Sequence, residues 1–280
     1  MRRFESRKSS AQIVGEGVIS TSGNQTFPSQ DPLTGDLWFS VYEGSFDDQT
    51  IIVSRSSGAR SGAPEVASFS GTWGDRAPRF SPDGSTLLFT SNRPRPGASE
   101  TGDMNIWMVE HLAAGQGWSE PRILESAVNS MSADIHPSVT SEAIWVASRR
   151  DGGMGRSDLY RVDSTGEIQH PGALLNDELS QPDLWVSPDE SWMILAITDH
   201  PDGFGGDDLY VSWREGDTWT TPANLGSEIN TVEYEYGPWV SSDGETLFFT
   251  SHRDGPSHVY RVPVDVVLGK RRALLRRASQ

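Results

Sequence analysis

The chain contains no cysteine, which excludes disulfides and any zinc or redox centre built on thiolates. Lysine is nearly absent: Lys8 and Lys270 are the two, and every other basic side chain is arginine. No apolar run approaches the ~20 residues of a membrane-spanning helix, so no transmembrane segment is expected. The first thirty residues lack the apolar stretch of a secretory signal. A Gly-x-Ser-x-Gly elbow, a phosphate-binding loop and a dinucleotide fingerprint are all missing. Gly152-Gly153-Met154-Gly155 and Gly203-Phe204-Gly205-Gly206 open no helix and read as hairpin loops. Positive charge is scarce outside the ends. The 280 residues carry a formal charge of −16, and residues 1–8 and 269–280 hold +3 and +5, leaving the body at −24. A body this acidic repels polyanions, which argues against nucleic acid as a partner. The basic ends read as solvated tails, with weak contact to an anionic surface as the alternative.

What the chain does have is a repeated phrase. Pro78-Arg79-Phe80-Ser81-Pro82-Asp83-Gly84, followed by Leu87-Leu88-Phe89-Thr90-Ser91-Asn92-Arg93, returns as Pro238-Trp239-Val240-Ser241-Ser242-Asp243-Gly244 and Leu247-Phe248-Phe249-Thr250-Ser251-His252-Arg253. Weaker copies start near Pro28, Pro137 and Leu184, a period of roughly 50 residues that points to a propeller or solenoid. Each copy parses into a short segment after the anchor, a turn (Asp-Gly at 83–84 and 243–244, Asp-Glu at 189–190), and an apolar strand such as Leu37-Trp38-Phe39 or Met193-Ile194-Leu195. A Gly-rich loop and a third strand follow, as in Ile106-Trp107-Met108 and Leu209-Tyr210-Val211; a fourth is clearest at Trp118 to Pro121 and Trp219 to Pro222. Four antiparallel strands per repeat make a propeller blade. The sequence therefore predicts an all-β, five-bladed β-propeller over 11–265, flanked by a frayed basic end at 1–10 and a basic tail at 266–280. The fifth repeat lacks an outer strand. The segment from Gln12 to Val18 is expected to supply it and close the ring, leaving no open edge.

The Ser-Pro-Asp-Gly turn, the Ser-x-Arg ending the second strand, Gly205-Gly206-Asp207-Asp208-Leu209-Tyr210, and Trp219…Pro222…Asn224-Leu225-Gly226…Ile229-Asn230-Thr231 resemble TolB-like, WD40-like propeller repeats, over about 19–265. The resemblance implies a bacterial-envelope, periplasmic setting and a scaffold with many uses. The TolB protein is similar to a six-bladed propeller behind a second domain, whereas this chain offers five repeats.

In such a ring the loops between second and third strands share a face with the loops leading into each inner strand, and a funnel there is the default ligand site. Three positions before each anchor stand Gln25, Asp75, Asp134, Gln181 and Glu235. They are expected to ring the mouth, as a site for a cation or basic group, as a glycosidase-type carboxyl pair, or as acceptors for Arg93, Arg149 and Arg253 of neighbouring blades. A second expected pairing joins these arginines to an acid or histidine opening strand three: Arg149 with Asp158, Arg93 with Asp103, Arg253 with His258. Trp73, Trp239, Tyr234 and Tyr236 are placed beside the funnel, where an aromatic could stack on a sugar or anchor a peptide. No cofactor is expected. Calcium is the cation best suited to Asp199-His200-Pro201-Asp202-Gly203-Phe204-Gly205-Gly206-Asp207-Asp208, which nevertheless lacks the Asp-x-Asp-x-Asp-Gly spacing. His136, His200, His252 and His258 show no transition-metal spacing. The leading expectation is a monomeric, non-catalytic scaffold binding a protein or peptide at the funnel. Its rivals are a carbohydrate-active enzyme using funnel carboxylates and a ligand-sensing domain of a larger protein.

Overall fold

The computed structural model describes residues 11–57, 60–112, 117–125 and 127–270. The expected frayed end at 1–10 and most of the basic tail lie outside them. Five antiparallel sheets stand around one axis as the blades of a propeller. From the axis outward, blade one has Asn24–Gln30, Leu37–Tyr42, Thr50–Ser54 and Glu65–Val66. Blade two has Asp75–Phe80, Thr86–Ser91, Asn105–Glu110 and Arg122–Ile123, and blade three Asp134–Val139, Ala143–Ser148, Asp158–Asp163 and Ile168–Gln169. Blade four has Ser180–Val186, Trp192–Thr198 and Asp207–Glu215, with Thr218–Trp219 and Ala223–Asn224 both on the last of these. Blade five has Glu235–Val240, Thr246–Ser251 and His258–Pro263. A two-stranded ribbon, Ser56–Ser57 with Arg60–Ser61, projects from blade one. We call the face carrying the second-to-third-strand and blade-to-blade loops the upper face, and that of the first-to-second-strand turns the lower face.

The missing strand of blade five is Gln12–Ile13, which pairs antiparallel with Arg261 and Tyr260, and Val14 N–H continues the ladder to Val259 O. The ring is sealed a second time by Gln25 N–H to Ser257 O at 2.7 Å. Beyond the last strand, residues 265–270 form a helical turn that buries Val264 and Val267 on the core, so the packed body continues past residue 265.

Second strands supply the inter-blade core: Phe39, Phe89, Val146, Leu195 and Phe249 are all fully buried. Inner strands carry a less regular feature. In blades one, two, three and five the residue before the anchor proline has left-handed backbone, with φ of 51° at Phe27, 52° at Ala77, 49° at His136 and 63° at Gly237. The register against the second strand slips there. This bulge turns an N–H toward the preceding blade, and a hydroxyl receives it: Ser40 for Ala77, Thr90 for His136 and Thr250 for Phe27. The freed carbonyls face the axis, where the fully buried Arg79 donates to Pro28 O and Pro78 O at 3.0 Å. His136 Nδ1 lies 2.7 Å from Pro182 O. Arg79, His136 and Phe27 thus fill the centre of the ring.

Blade four departs from this pattern. Leu184 replaces the proline, and Asp183 and Leu184 pair regularly with Ala196 and Leu195, so the irregularity moves up to Gln181 and Pro182. Its lower turn differs too. Glu190 takes the left-handed position (φ 53°) filled by Gly84 and Gly244 elsewhere. Its buried carboxylate holds Arg161, Arg214, Trp145 Nε1 and Thr140 Oγ1, which offsets the strain.

Candidate functional site at the upper funnel

The five ring residues come together as the sequence spacing implies, but inside the wall. Asp75, Asp134, Gln181 and Glu235 are 0% exposed and Gln25 3%. Each bonds a side chain four or five residues earlier: Gln25 with Thr21, Asp75 with Ser70, Asp134 with Ser130, Gln181 with Asp177 and Glu235 with Thr231. The three acids also take an arginine of their own blade rather than a neighbour's. Arg93 donates to Asp75 at 2.7 Å, Arg150 to Asp134 at 3.0 Å, and Arg253 lies 3.7 Å from Glu235. The partner of Asp134 is thus Arg150, not Arg149. Register explains the geometry: Asp75, Asp134 and Glu235 stand opposite Ser91, Ser148 and Ser251, so an arginine two residues on folds back onto the inner strand. Each guanidinium then stacks on aromatic rings of its blade, Arg93 on Phe89 and Trp107, Arg150 on Tyr160, Arg253 on Phe249 and Tyr260. Burial raises the proton affinity of Asp75 and Glu235, and their arginines pull it back.

The expected hairpin pairings do not form. Arg93 goes to Asp75 instead of Asp103; Asp158 takes the Met154 and Gly155 amides and His170; His258 meets Gln25 across the ring closure. In the loop considered for calcium, Asp208 accepts from Phe204 and Gly205 N–H while Asp202 serves Tyr210 and His200. Among the described residues no group of three or more acids or histidines is arranged to hold a metal ion.

Blade four has His200 where blades two, three and five place arginine, and its Asp183 and Asp207 form no ion pair with an arginine or lysine among the described residues. Asp183, 1% exposed, accepts from Leu184 N–H at 2.9 Å and from Gly237 N–H, doing for blade five what a hydroxyl does elsewhere because Ala196 occupies that hydroxyl's place. Burial pushes its pKa up to about 7, Arg79 opposing and the Asp207 charge adding. His136 Nδ1 is 3.9 Å away, and burial with nearby arginines holds that imidazole neutral, so it neutralises nothing. Asp207, partly exposed, takes the Thr198 hydroxyl at 2.6 Å; burial raises it, and Asp199 and Asp208 raise it further. Asp183 escaped sequence reasoning because its φ and pairing differ from those of its repeat mates. The missing anchor proline was the available signal.

Tyr236 is buried at the funnel floor with its hydroxyl 3.3 Å from His252 Nε2, while Trp73 (37% exposed) and Tyr234 stand on the rim. Beside the axis, between blades two and three, a cavity of about 370 Å³ is lined by Asp47, Arg76, Asn92, Asp103, Arg149 and Arg156. Trp239 is not at the funnel. Past the bulge its strand has reached the lower face, where it joins Phe80, Trp185 and Trp192 around an apolar pit of about 340 Å³.

The chain matches no protein-family model and no curated protein, and solved structures match it by fold. One described as a glycoside hydrolase superposes with TM-score 0.58 over 92% of this chain and 91% of its own, at 9% identity. An α-L-arabinofuranosidase from Podospora anserina, in complex with cellotriose, matches over 90% of this chain and 92% of its own, with TM-score 0.50 and 12% identity. A puromycin-hydrolysing peptidase from Mycobacterium tuberculosis shares 13% identity at TM-score 0.48, covering 84% of this chain and 35% of that one, so this chain spans about a third of that protein. What the first two likenesses show is the five-bladed propeller; they attach no TolB or WD40 name to it.

Proposed function

We propose that the protein acts on a carbohydrate at its upper funnel, in the manner of a glycoside hydrolase, with Asp183 and Asp207 of blade four as its carboxyl pair. The observation behind this reading is the break in symmetry: three ring acids are spent on arginines of their own blades, while blade four has lost both the arginine and the anchor proline and keeps two carboxyls whose proton affinity is raised. A general acid works best when its pKa lies near the working pH, and a carboxyl near 7 meets that condition. Asp207, closer to solvent, is the partner that would receive a proton from water or attack the sugar. The two full-length fold neighbours above, one described as a glycoside hydrolase and one as an arabinofuranosidase, agree with the proposal. The test is turnover of an aryl-glycoside and polysaccharide panel by wild type, Asp183→Asn and Asp207→Asn. Loss of kcat in both variants with folding retained supports it. Activity unchanged in Asp183→Asn, with stability alone reduced, reduces Asp183 to an acceptor for Gly237.

The earlier expectation, a partner-binding scaffold, keeps one specific support: Trp73, Tyr234, Met131 and Val232 expose apolar surface on upper-face loops. Capture of a protein partner that Trp73→Ala and Tyr234→Ala abolish, from a protein with no glycan turnover, would favour it.

A further inference from the structure

We infer that the cavity between blades two and three is a subsite for an acidic sugar, a uronate or sulfated residue, so that the carbohydrate of the proposed function carries negative charge. The word sugar rests on that proposal; the charge rests on the arginines. Arg76, Arg149 and Arg156 converge on this one cavity in a protein of net charge −16. Arg76 is 6% exposed, spends Nη1 on Asp47 at 2.8 Å and on Phe46 O, and leaves its buried Nε without a partner. The exposed guanidinium groups of Arg149 and Arg156 make no hydrogen bond or ion pair with any described residue, and the Arg149 charge lies near enough to weaken proton binding at both Arg76 and His136. Three guanidinium groups stand against two carboxylates, Asp47 (already bound to Arg76) and Asp103, so positive charge is in excess at the cavity, and planar guanidinium forks fit a carboxylate or sulfate. Around them the lining suits hydroxyls. Asn92 Oδ1 is taken by Gly74 N–H, its Nδ2 is bonded to no described residue and is left as a donor, and Asp103 stands as an acceptor. The volume of about 370 Å³ is that of a small-ligand site.

The experiment is calorimetric binding of a glucuronate-terminated disaccharide, its methyl ester, a sulfated disaccharide and a short peptide with a free C-terminus, to wild type and to Arg149→Ala/Arg156→Ala. Both substituted side chains are exposed, and circular dichroism checks the fold. The acid is expected to bind at least tenfold more tightly than its ester, to weaken with salt, and to lose tenfold or more in the double variant. Tighter binding of the sulfated sugar, still lost in the variant, assigns the anion to sulfate and upholds the inference. Equal binding of acid and ester, an unaffected double variant, or a peptide bound as tightly as the uronide overturns it. Binding needs no turnover, so the two readings fail separately. Uronide binding without hydrolysis sinks the enzyme reading alone. Hydrolysis of neutral glycosides untouched by the double variant sinks the acidic subsite alone.

Discussion

Replacing Asp75 by alanine tests whether the buried ring is framework. Asp75 is 0% exposed and binds Arg93 at 2.7 Å and Ser70 at 2.9 Å, and Arg93 is itself buried against Phe89 and Trp107. Its removal strands a buried guanidinium, a loss of about 3–5 kcal/mol. An exposed pair such as Arg122–Glu110, over half exposed on both sides, is worth about 0–1 kcal/mol. At roughly 2–4 °C per kcal/mol for a chain of this size, Asp75→Ala should lower Tm by about 6–20 °C. Urea unfolding should show the midpoint falling with the slope unchanged. Replacing both partners, as in Asp75→Leu/Arg93→Met, should recover most of the loss, since an apolar pair leaves no stranded charge. A single-variant loss under 1 kcal/mol would refute the reasoning. So would a Tm left alone while ligand affinity collapses, which would put Asp75 in contact with the ligand.

Three further outcomes follow from the same geometry. Glu190→Gly relieves a left-handed φ worth about 1 kcal/mol but removes the buried carboxylate that Arg161 and Arg214 share and unpairs Trp145 Nε1, so urea unfolding should show a net loss of about 2–4 kcal/mol. Deleting residues 1–17 removes the Gln12–Ile13 strand and bares the His258–Pro263 edge; size-exclusion chromatography should show aggregation, and a monomer of unchanged Tm would contradict the closure. Asp183 has a folded-state constant of about 7 against an ordinary 3.8, so between about pH 4 and 7 the native state holds the extra proton. Stability should therefore fall as pH rises through that window, by about 4 kcal/mol in all, and Asp183→Asn should flatten the curve.

The fold was readable because it is written five times. The Asp-Gly turns, the apolar second strands and the outer strand missing from the fifth repeat located the blades and the closing strand. The equivalence of Gln25, Asp75, Asp134, Gln181 and Glu235 was also legible; their burial was not, because it follows from the serine opposite and the arginine folding back across it. Arg93 looked toward Asp103 in sequence, yet strand pairing presents it to Asp75. Trp239 changed ends because a bulge of two residues carries its strand from the funnel to the lower face. Asp183 lay hidden for the opposite reason. Repeat logic finds what blades share, and this residue matters where blade four differs.

The most direct measurement is a carboxyl-detected NMR titration of Asp183, with Asp83, Asp189 and Asp243 as internal standards. Those three accept serine hydroxyls and turn amides, which holds them below the usual aspartate range. The account predicts that Asp183 alone among these titrates near neutrality, about 7, and that Asp207→Asn lowers its midpoint. An Asp183 midpoint in the ordinary carboxylate range, unmoved by Asp207→Asn, would contradict an acid–base pair on blade four.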